Sequence, residues 1–290
     1  MKGIILAAGK GSRLYPTSLA INKQLMPIYD KPMIYYPLTT LIENRIDEIC
    51  IICNPEALSS FKDLLGDGHR FGIKLTYKVQ KEPKGIAESF IIASSFLSGA
   101  DGVTLILGDN IFYGAKEVLE KAFMQFNGGA TVFGYRVHDP ERYGVVEFDQ
   151  DGKALSIQEK PKKPKSDYAI PGFYIFDETV VDIAINLKPS KRGELEITDI
   201  IKGYLRKDAL KVCKLPRGTA WLDAGTCGSF YDSSSYVQAI EKRQGVKIGC
   251  PEEAGYVNGF LTKTKLRKIV KETPNSDYKD YLKRLLKNEE

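Results

Sequence analysis

Apolar and polar positions alternate along this chain in two different rhythms. In the first half, apolar runs resembling buried strands (KGIILAA, EICIICN, IKLTYKV and VTLILGD) are separated by IYYPLTTLIENR, EALSSFKDLLG and GIAESFIIASSFL. Those intervening segments carry the three-to-four-residue apolar spacing of amphipathic helices. Strands that alternate with helices predict an α/β sheet, mostly parallel and covered on both faces. The second half changes character. ATVFGYRV, GVVEFD, ALSIQEK and YAIPGFYIFD read as short strands, with Asp151-Gly152 as a hairpin turn. Helical spacing returns in VVDIAINL, TDIIKGYLRK and SFYDSSSYVQAIEKRQG. The tail from Lys263 reads as two short amphipathic helices divided by Thr273-Pro274.

The economical organisation is one Rossmann-like mixed domain over residues 1–250. A nucleotide-binding half of about 1–128 would precede a β-rich sugar-binding half of about 129–250, with residues 251–290 as a small helical appendage. No internal repeat or low-complexity linker interrupts the 290 residues.

Composition narrows the function classes. With 43% hydrophobic and 27% charged residues, the chain matches ordinary soluble globular proteins. The net charge of +5 would suggest nucleic acid, but residues 263–290 alone hold nine Lys/Arg against five Asp/Glu. The remainder is nearly neutral and has no basic stripe for a phosphate backbone, so no nucleic-acid partner is expected. No apolar run approaches the roughly 20 residues that span a bilayer, and Ile4–Ala8 is too short for a secretory leader. A cytoplasmic enzyme or binding protein is expected, without a membrane partner. Five cysteines form no disulfide framework. Cys50 and Cys53 lie in one strand-like run and fall on opposite faces of it, which suits core thiols. His69 and His138, the only histidines, have no nucleophile motif around them, so covalent hydrolase chemistry is discounted.

The candidate chemistry starts where the first strand ends, at Ala8-Gly9-Lys10-Gly11-Ser12-Arg13, with Lys23 following. Ligands of open α/β sheets bind at the carboxyl edge of the strands. Glycines there let backbone N–H groups approach an anion, and the two cations suit a triphosphate. Gly-x-Gly alone fits an anion cradle and a plain tight turn equally well. Leu14 breaks a dinucleotide fingerprint, and no Walker A loop occurs.

More of the chain decides between these. LAAGKGSRLYP followed by KQLMP resembles the signature of sugar-1-phosphate nucleotidyltransferases. YDKPMIYYPL, LLGDG, LGDNIFYG, DPERYGVVEFD, QEKPKKPKSDYA, RGELEITD and AWLDAGT resemble the glucose-1-phosphate thymidylyltransferase branch of that family, in order from residue 3 to about 255. The resemblance implies transfer from dTTP to glucose 1-phosphate, giving dTDP-glucose and pyrophosphate, with Mg²⁺ as cofactor and a homotetramer as the assembly.

It also implies residue roles. Arg13 would hold the leaving pyrophosphate, Lys23 the reacting phosphates and Lys160 the attacking phosphate, with Asp109 and Asp223 as metal ligands. Ala8, Gly9, Gly11, Ser12, Gln24, Gln80 and Gly85 would join Arg13, Lys23 and Asp109 around the nucleotide. Asn110, Tyr143, Gly144, Glu159, Lys160 and Ile170 would line the sugar phosphate. Two carboxylates plus phosphate oxygens and waters make a reasonable Mg²⁺ shell, because that ion rarely uses a full protein cage. Trp221 is assigned to the core.

Four positions depart from the family pattern. Ala8 and Ser12 stand where Gly and Thr are usual, and Ala115 and Cys227 where His is common. Ala115 follows Tyr113-Gly114, a segment that the family uses in a second, regulatory nucleotide site. Two other readings therefore stand beside the first: a transferase using UTP or a different hexose phosphate, and a non-catalytic binding protein of the same fold. Retention of both cations, Lys160 and both carboxylates speaks against the second of these.

Overall fold

The computed structural model describes residues 1–287. Residues 288–290, the end of the expected appendage, lie outside the described residues. The architecture is the mixed α/β sheet that the alternation predicts. A 10-stranded sheet is built around Lys2–Ala7, which pairs in parallel with Glu48–Cys53 on one side and Val103–Leu107 on the other. Lys74–Val79 extends it in parallel beyond Glu48–Cys53. On the opposite flank Phe173–Phe176 pairs antiparallel with both Val103–Leu107 and Ala130–Arg136. Tyr168–Ile170, Gly144–Phe148 and Ala154–Glu159 continue the antiparallel half.

Two differences from the sequence reading have simple causes. YAIPGFYIFD is two strands, because Pro171 cannot donate to a ladder and Gly172 closes against Leu107, 2.5 Å from where a Cβ would sit. The strand Leu210–Lys214, parallel to Ala130–Arg136, is not predicted, because LKVCK is only five residues long and two of them are lysines that break the apolar run.

Period-2 alternation sends successive residues to opposite faces. Ile5, Ile51, Cys53 and Ile106 pack under the helices Tyr35–Glu43 and Leu58–Leu65. Ile4, Cys50, Ile52 and Leu105 pack under Glu88–Ile92 and Ile197–Arg206. Cys50 and Cys53 thus sit in different cores, both fully buried. Cys250 is buried too, Cys213 is half-buried and Cys227 is exposed. The expected hairpin joins Gly144–Phe148 to Ala154–Glu159, with Gly152 at φ +82°.

After the 18-residue helix Cys227–Gln244 come three shorter ones: Pro251–Val257, Lys263–Glu272 and Asp277–Lys287. They share a small core of Cys250, Leu266, Val270, Tyr281 and Leu282. Arg70 Nε donates to the buried Glu252 at 2.7 Å and ties them to the sheet domain. Among the described residues, no helix is long and apolar enough to cross a membrane.

Candidate active site

A cavity of about 250 Å³ opens where the parallel strands end and the antiparallel half begins. Of the residues singled out by sequence, Arg13, Asp109, Asn110, Tyr143, Gly144, Glu159, Lys160, Ile170 and Asp223 line it. They come from six separate parts of the chain, and topology brings them together. Asp109 follows Val103–Leu107 at its carboxyl end. Asp223 ends Ala220–Asp223, which pairs antiparallel with Asn110–Tyr113 so that Asp223 faces Asn110.

The two carboxylates have opposite electrostatics. Partial burial of Asp109 would by itself raise its pKa, but the adjacent Lys23 ammonium and the Asn110 amide hold it below the ordinary value. Asp223 is pushed up, first by burial and then by the negative charge of Asp109. Arg142 Nη2 stands 4.0 Å from Asp223, too far to balance it closely. Among the described residues no group of three or more His, Cys, Asp or Glu could hold a metal ion. Two hard oxygen donors with a partly uncompensated charge nevertheless fit Mg²⁺, which takes its remaining ligands from water and phosphate.

The cavity wall around Asn110 and Glu159 holds more polar groups than the sequence predicts. Asn110 is a hub: its Oδ1 accepts from Trp221 Nε1 at 2.7 Å and from the Gly172 N–H at 2.9 Å. Trp221, assigned to the core from sequence, is buried but forms part of the cavity wall, its ring 5.0 Å from that of Tyr143. Arg142, Arg192, Glu194, Glu196 and Thr198 also line the cavity and were not singled out. Their signal in the sequence lies in DPERYG and RGELEIT, two of the segments that carry the family resemblance. Arg192 is held by Glu196 through contacts of 3.1 and 2.9 Å. Glu159 faces Gly144 across the ladder, and burial raises its pKa against the pull of Lys160 and Arg192.

The residues expected around the nucleotide are more dispersed. Gly9 opens onto a separate hollow beside Lys10, Ser18 and Asn22. Gly11 adopts φ +62° and caps the turn Ser12–Leu14, while Ala8 is buried behind it. Lys23 is nearly buried, and its ammonium is engaged with Asp109. Gln24 lies beneath Gly108, and its buried Oε1 has no hydrogen-bond partner. Gln80 and Gly85 do not line the main cavity, although Ile86 does. The Gln80 amide donates to Glu88 at 2.7 Å and to the Gly85 carbonyl at 3.3 Å. Gly85, at φ +107°, lies so close to Leu195 that a Cβ would fall 2.3 Å from its carbonyl oxygen. Tyr113, Gly114 and Ala115 line a different cavity, with Tyr36 and Lys247.

A cavity walled by cations, carboxylates and a tryptophan suits a phosphorylated, hydroxyl-rich ligand but does not by itself name a family. The family described as Nucleotidyl transferase matches residues 2–239 of this sequence. The chain belongs to that family. It is 50% identical over its whole length to a glucose-1-phosphate thymidylyltransferase from Mycolicibacterium smegmatis, and all of that protein is covered. A protein of the same name from Neisseria meningitidis is also 50% identical, over 99% of this chain and 100% of its own. A solved structure from Bacillus anthracis, described as a glucose-1-phosphate thymidylyltransferase in complex with a sucrose, is 42% identical. It superposes with a TM-score of 0.76 over 81% of this chain and 94% of its own. A UDP-glucose pyrophosphorylase complexed with UDP-glucose, at 23% identity and a TM-score of 0.71 over 83% of this chain and 98% of its own, shares the fold.

Proposed function

We propose that the chain transfers a thymidylyl group from dTTP to α-D-glucose 1-phosphate, releasing pyrophosphate and forming dTDP-glucose. The observation that carries this is the convergence of Arg13, Asp109, Glu159, Lys160 and Asp223 on one cavity, in a chain half identical to thymidylyltransferases over its full length. In the reaction, an oxygen of the sugar phosphate attacks the α-phosphorus while the bond to the β-phosphate oxygen breaks. No general base is needed, because a phosphate monoester is already ionised near neutral pH. Catalysis is then a matter of alignment and charge neutralisation.

On this reading Lys160 holds the attacking phosphate, and Glu159 accepts from a sugar hydroxyl. Gly144 lets the ring lie against backbone. Arg13 takes the leaving pyrophosphate from the glycine loop. Lys23, already paired with Asp109, turns to the α-phosphate when nucleotide arrives. The unpartnered Gln24 Oε1 is available to a donor on the base. Mg²⁺ held by Asp109 and Asp223 would supply positive charge against the triphosphate. Residues 1–128 would then serve the nucleotide and 129–250 the sugar, in a cytoplasmic homotetramer that light scattering can check.

The test is pyrophosphate release across four nucleotides and several sugar 1-phosphates. The dTTP and glucose 1-phosphate pair should lead. One methyl in an apolar pocket is worth about 1–3 kcal/mol, so kcat/KM for dTTP should exceed that for UTP by roughly ten- to a hundredfold. Equal efficiencies, or a preference for UTP, would assign the chain to uridylyl transfer instead.

A further inference from the structure

Behind the two catalytic carboxylates lies a buried charge cluster that no step of this reaction uses. Lys31 Nζ is 2.5 Å from Asp30 Oδ1 and 2.7 Å from Glu241 Oε1, and the Lys31 and Glu241 side chains are only 2% and 3% exposed. The second Glu241 oxygen takes Lys247 at 2.7 Å, and the Ile248 N–H donates to Oε1 at 2.8 Å. Lys247 also pairs with Asp30. Two cations therefore balance two carboxylates, with the Lys31 ammonium 5.2 Å from the centre of the Tyr36 ring. Such clusters add little net stability, because desolvation offsets most of the attraction. What a saturated set of charge-assisted bonds does provide is a fixed geometry.

The cluster joins the segments that carry opposite sides of the site. Lys31 is on the hairpin of Pro27–Ile28 and Lys31–Pro32, which follows the Lys23–Leu25 turn directly. The Met33 and Ile34 N–H groups donate back to the carbonyls of Met26 and Gln24, at 3.0 and 2.9 Å. Glu241 lies near the end of the helix Cys227–Gln244, whose capping residue Thr226 follows Asp223 by three positions. The hairpin meets this helix a second time, where the Tyr29 N–H donates to Ser234 Oγ at 3.2 Å. Ile28, Met33, Tyr36, Ala224 and Val237 pack as one apolar cluster between them.

We propose that Lys31 and Glu241 are positioning residues of the active site. Their ion pair locks the Lys23 turn against the helix behind Asp223, so that this ammonium and this carboxylate meet the substrates in one fixed relation. Neither residue touches substrate. The inference rests on the nucleotidyl-transfer reading above.

The experiment compares Lys31→Met, the double variant Lys31→Met/Glu241→Gln, and Lys31→Arg with wild type. The double variant leaves Lys247 against Asp30, so no buried charge loses its counterpart even if Lys31→Met alone unfolds. In the double variant, kcat should fall about ten- to a hundredfold, the cost of misplaced groups. KM for both substrates should stay within about threefold. Calorimetry with dTTP should still give the wild-type number of sites per chain, whereas a merely structural defect lowers that count in step with kcat. Lys31→Arg, which keeps the positive charge against both carboxylates, should recover most of the rate. Wild-type kcat in the double variant, or a site count that falls in proportion to kcat, overturns the proposal. If wild type prefers another nucleotide, thymidylyl transfer fails, and the same ratios read with that nucleotide still decide this inference.

Discussion

Lys160 occupies a backbone conformation that favours glycine, and this separates its chemistry from its stability. At φ +40° it ends the strand Ala154–Glu159, its N–H donating to the Tyr143 carbonyl at 3.0 Å. A left-handed conformation costs an L-residue about 1–2 kcal/mol. Glycine escapes that cost but gives back about 0.4–1 kcal/mol through its freer unfolded chain. The difference favours glycine over alanine at this position by about 0.5–1 kcal/mol. The ammonium is half-exposed and 3.8 Å from Glu159, so its loss changes stability little. Lys160→Ala and Lys160→Gly should therefore lose turnover alike, by about 10²–10³-fold for a group that stabilises charge on the reacting phosphate. The glycine variant should nonetheless unfold at higher urea than the alanine variant. Circular dichroism in urea reads the stability difference, pyrophosphate release the turnover and calorimetry the dTTP affinity, which should stay near wild type. Alanine matching glycine in urea would refute the backbone argument. An equal collapse of dTTP affinity would move Lys160 to the nucleotide side.

Asp109→Asn and Asp223→Asn should each abolish most turnover while leaving the fold intact by circular dichroism, and excess chelator should do the same to wild type. Full activity in any of the three would refute the metal assignment. Glu159→Gln should gain stability relative to wild type as pH rises. The folded chain keeps on Glu159 a proton that the unfolded chain releases near pH 4.5, so wild type loses stability above that value while glutamine does not. Urea titrations at pH 4 and pH 7 that show no widening gap would contradict the burial of this carboxyl. Gly85→Ala should destabilise by about 2 kcal/mol or more, because its Cβ would meet the Leu195 carbonyl at 2.3 Å in a left-handed conformation. A wild-type midpoint in urea would refute that packing.

The legible part of the site was the part written in local sequence. A strand that empties into Gly9, Gly11 and Arg13 announces an anion cradle or a tight turn within ten residues, because strand, turn and charge are neighbours in the chain. Asp109, Asp223 and the residues expected at the sugar phosphate became legible only through the family resemblance. Trp221 shows why spacing alone falls short: a lone aromatic in a short strand fits core packing, and the pairing with Asn110–Tyr113 is what places it in the cavity wall. Arg192 and Glu196 needed the fold as well, because what makes them wall residues is their approach to Glu159 from a separate loop. Least visible was Lys31, which reads as a surface lysine beside a proline until a glutamate 210 positions away is found against it.

The strand Phe173–Phe176 has a consequence for how this chain is made. It lies between Val103–Leu107 and Ala130–Arg136, so the parallel half has no covered edge on that side until residue 176 is available. On a ribosome, the early strands would wait through some seventy residues of synthesis with the hydrogen-bonding groups of Val103–Leu107 open to other chains. A fragment that stops near residue 128 would keep that exposed border permanently and should aggregate. The junction of the parallel and antiparallel halves, where the cavity opens, is therefore also the seam on which soluble synthesis of the chain depends.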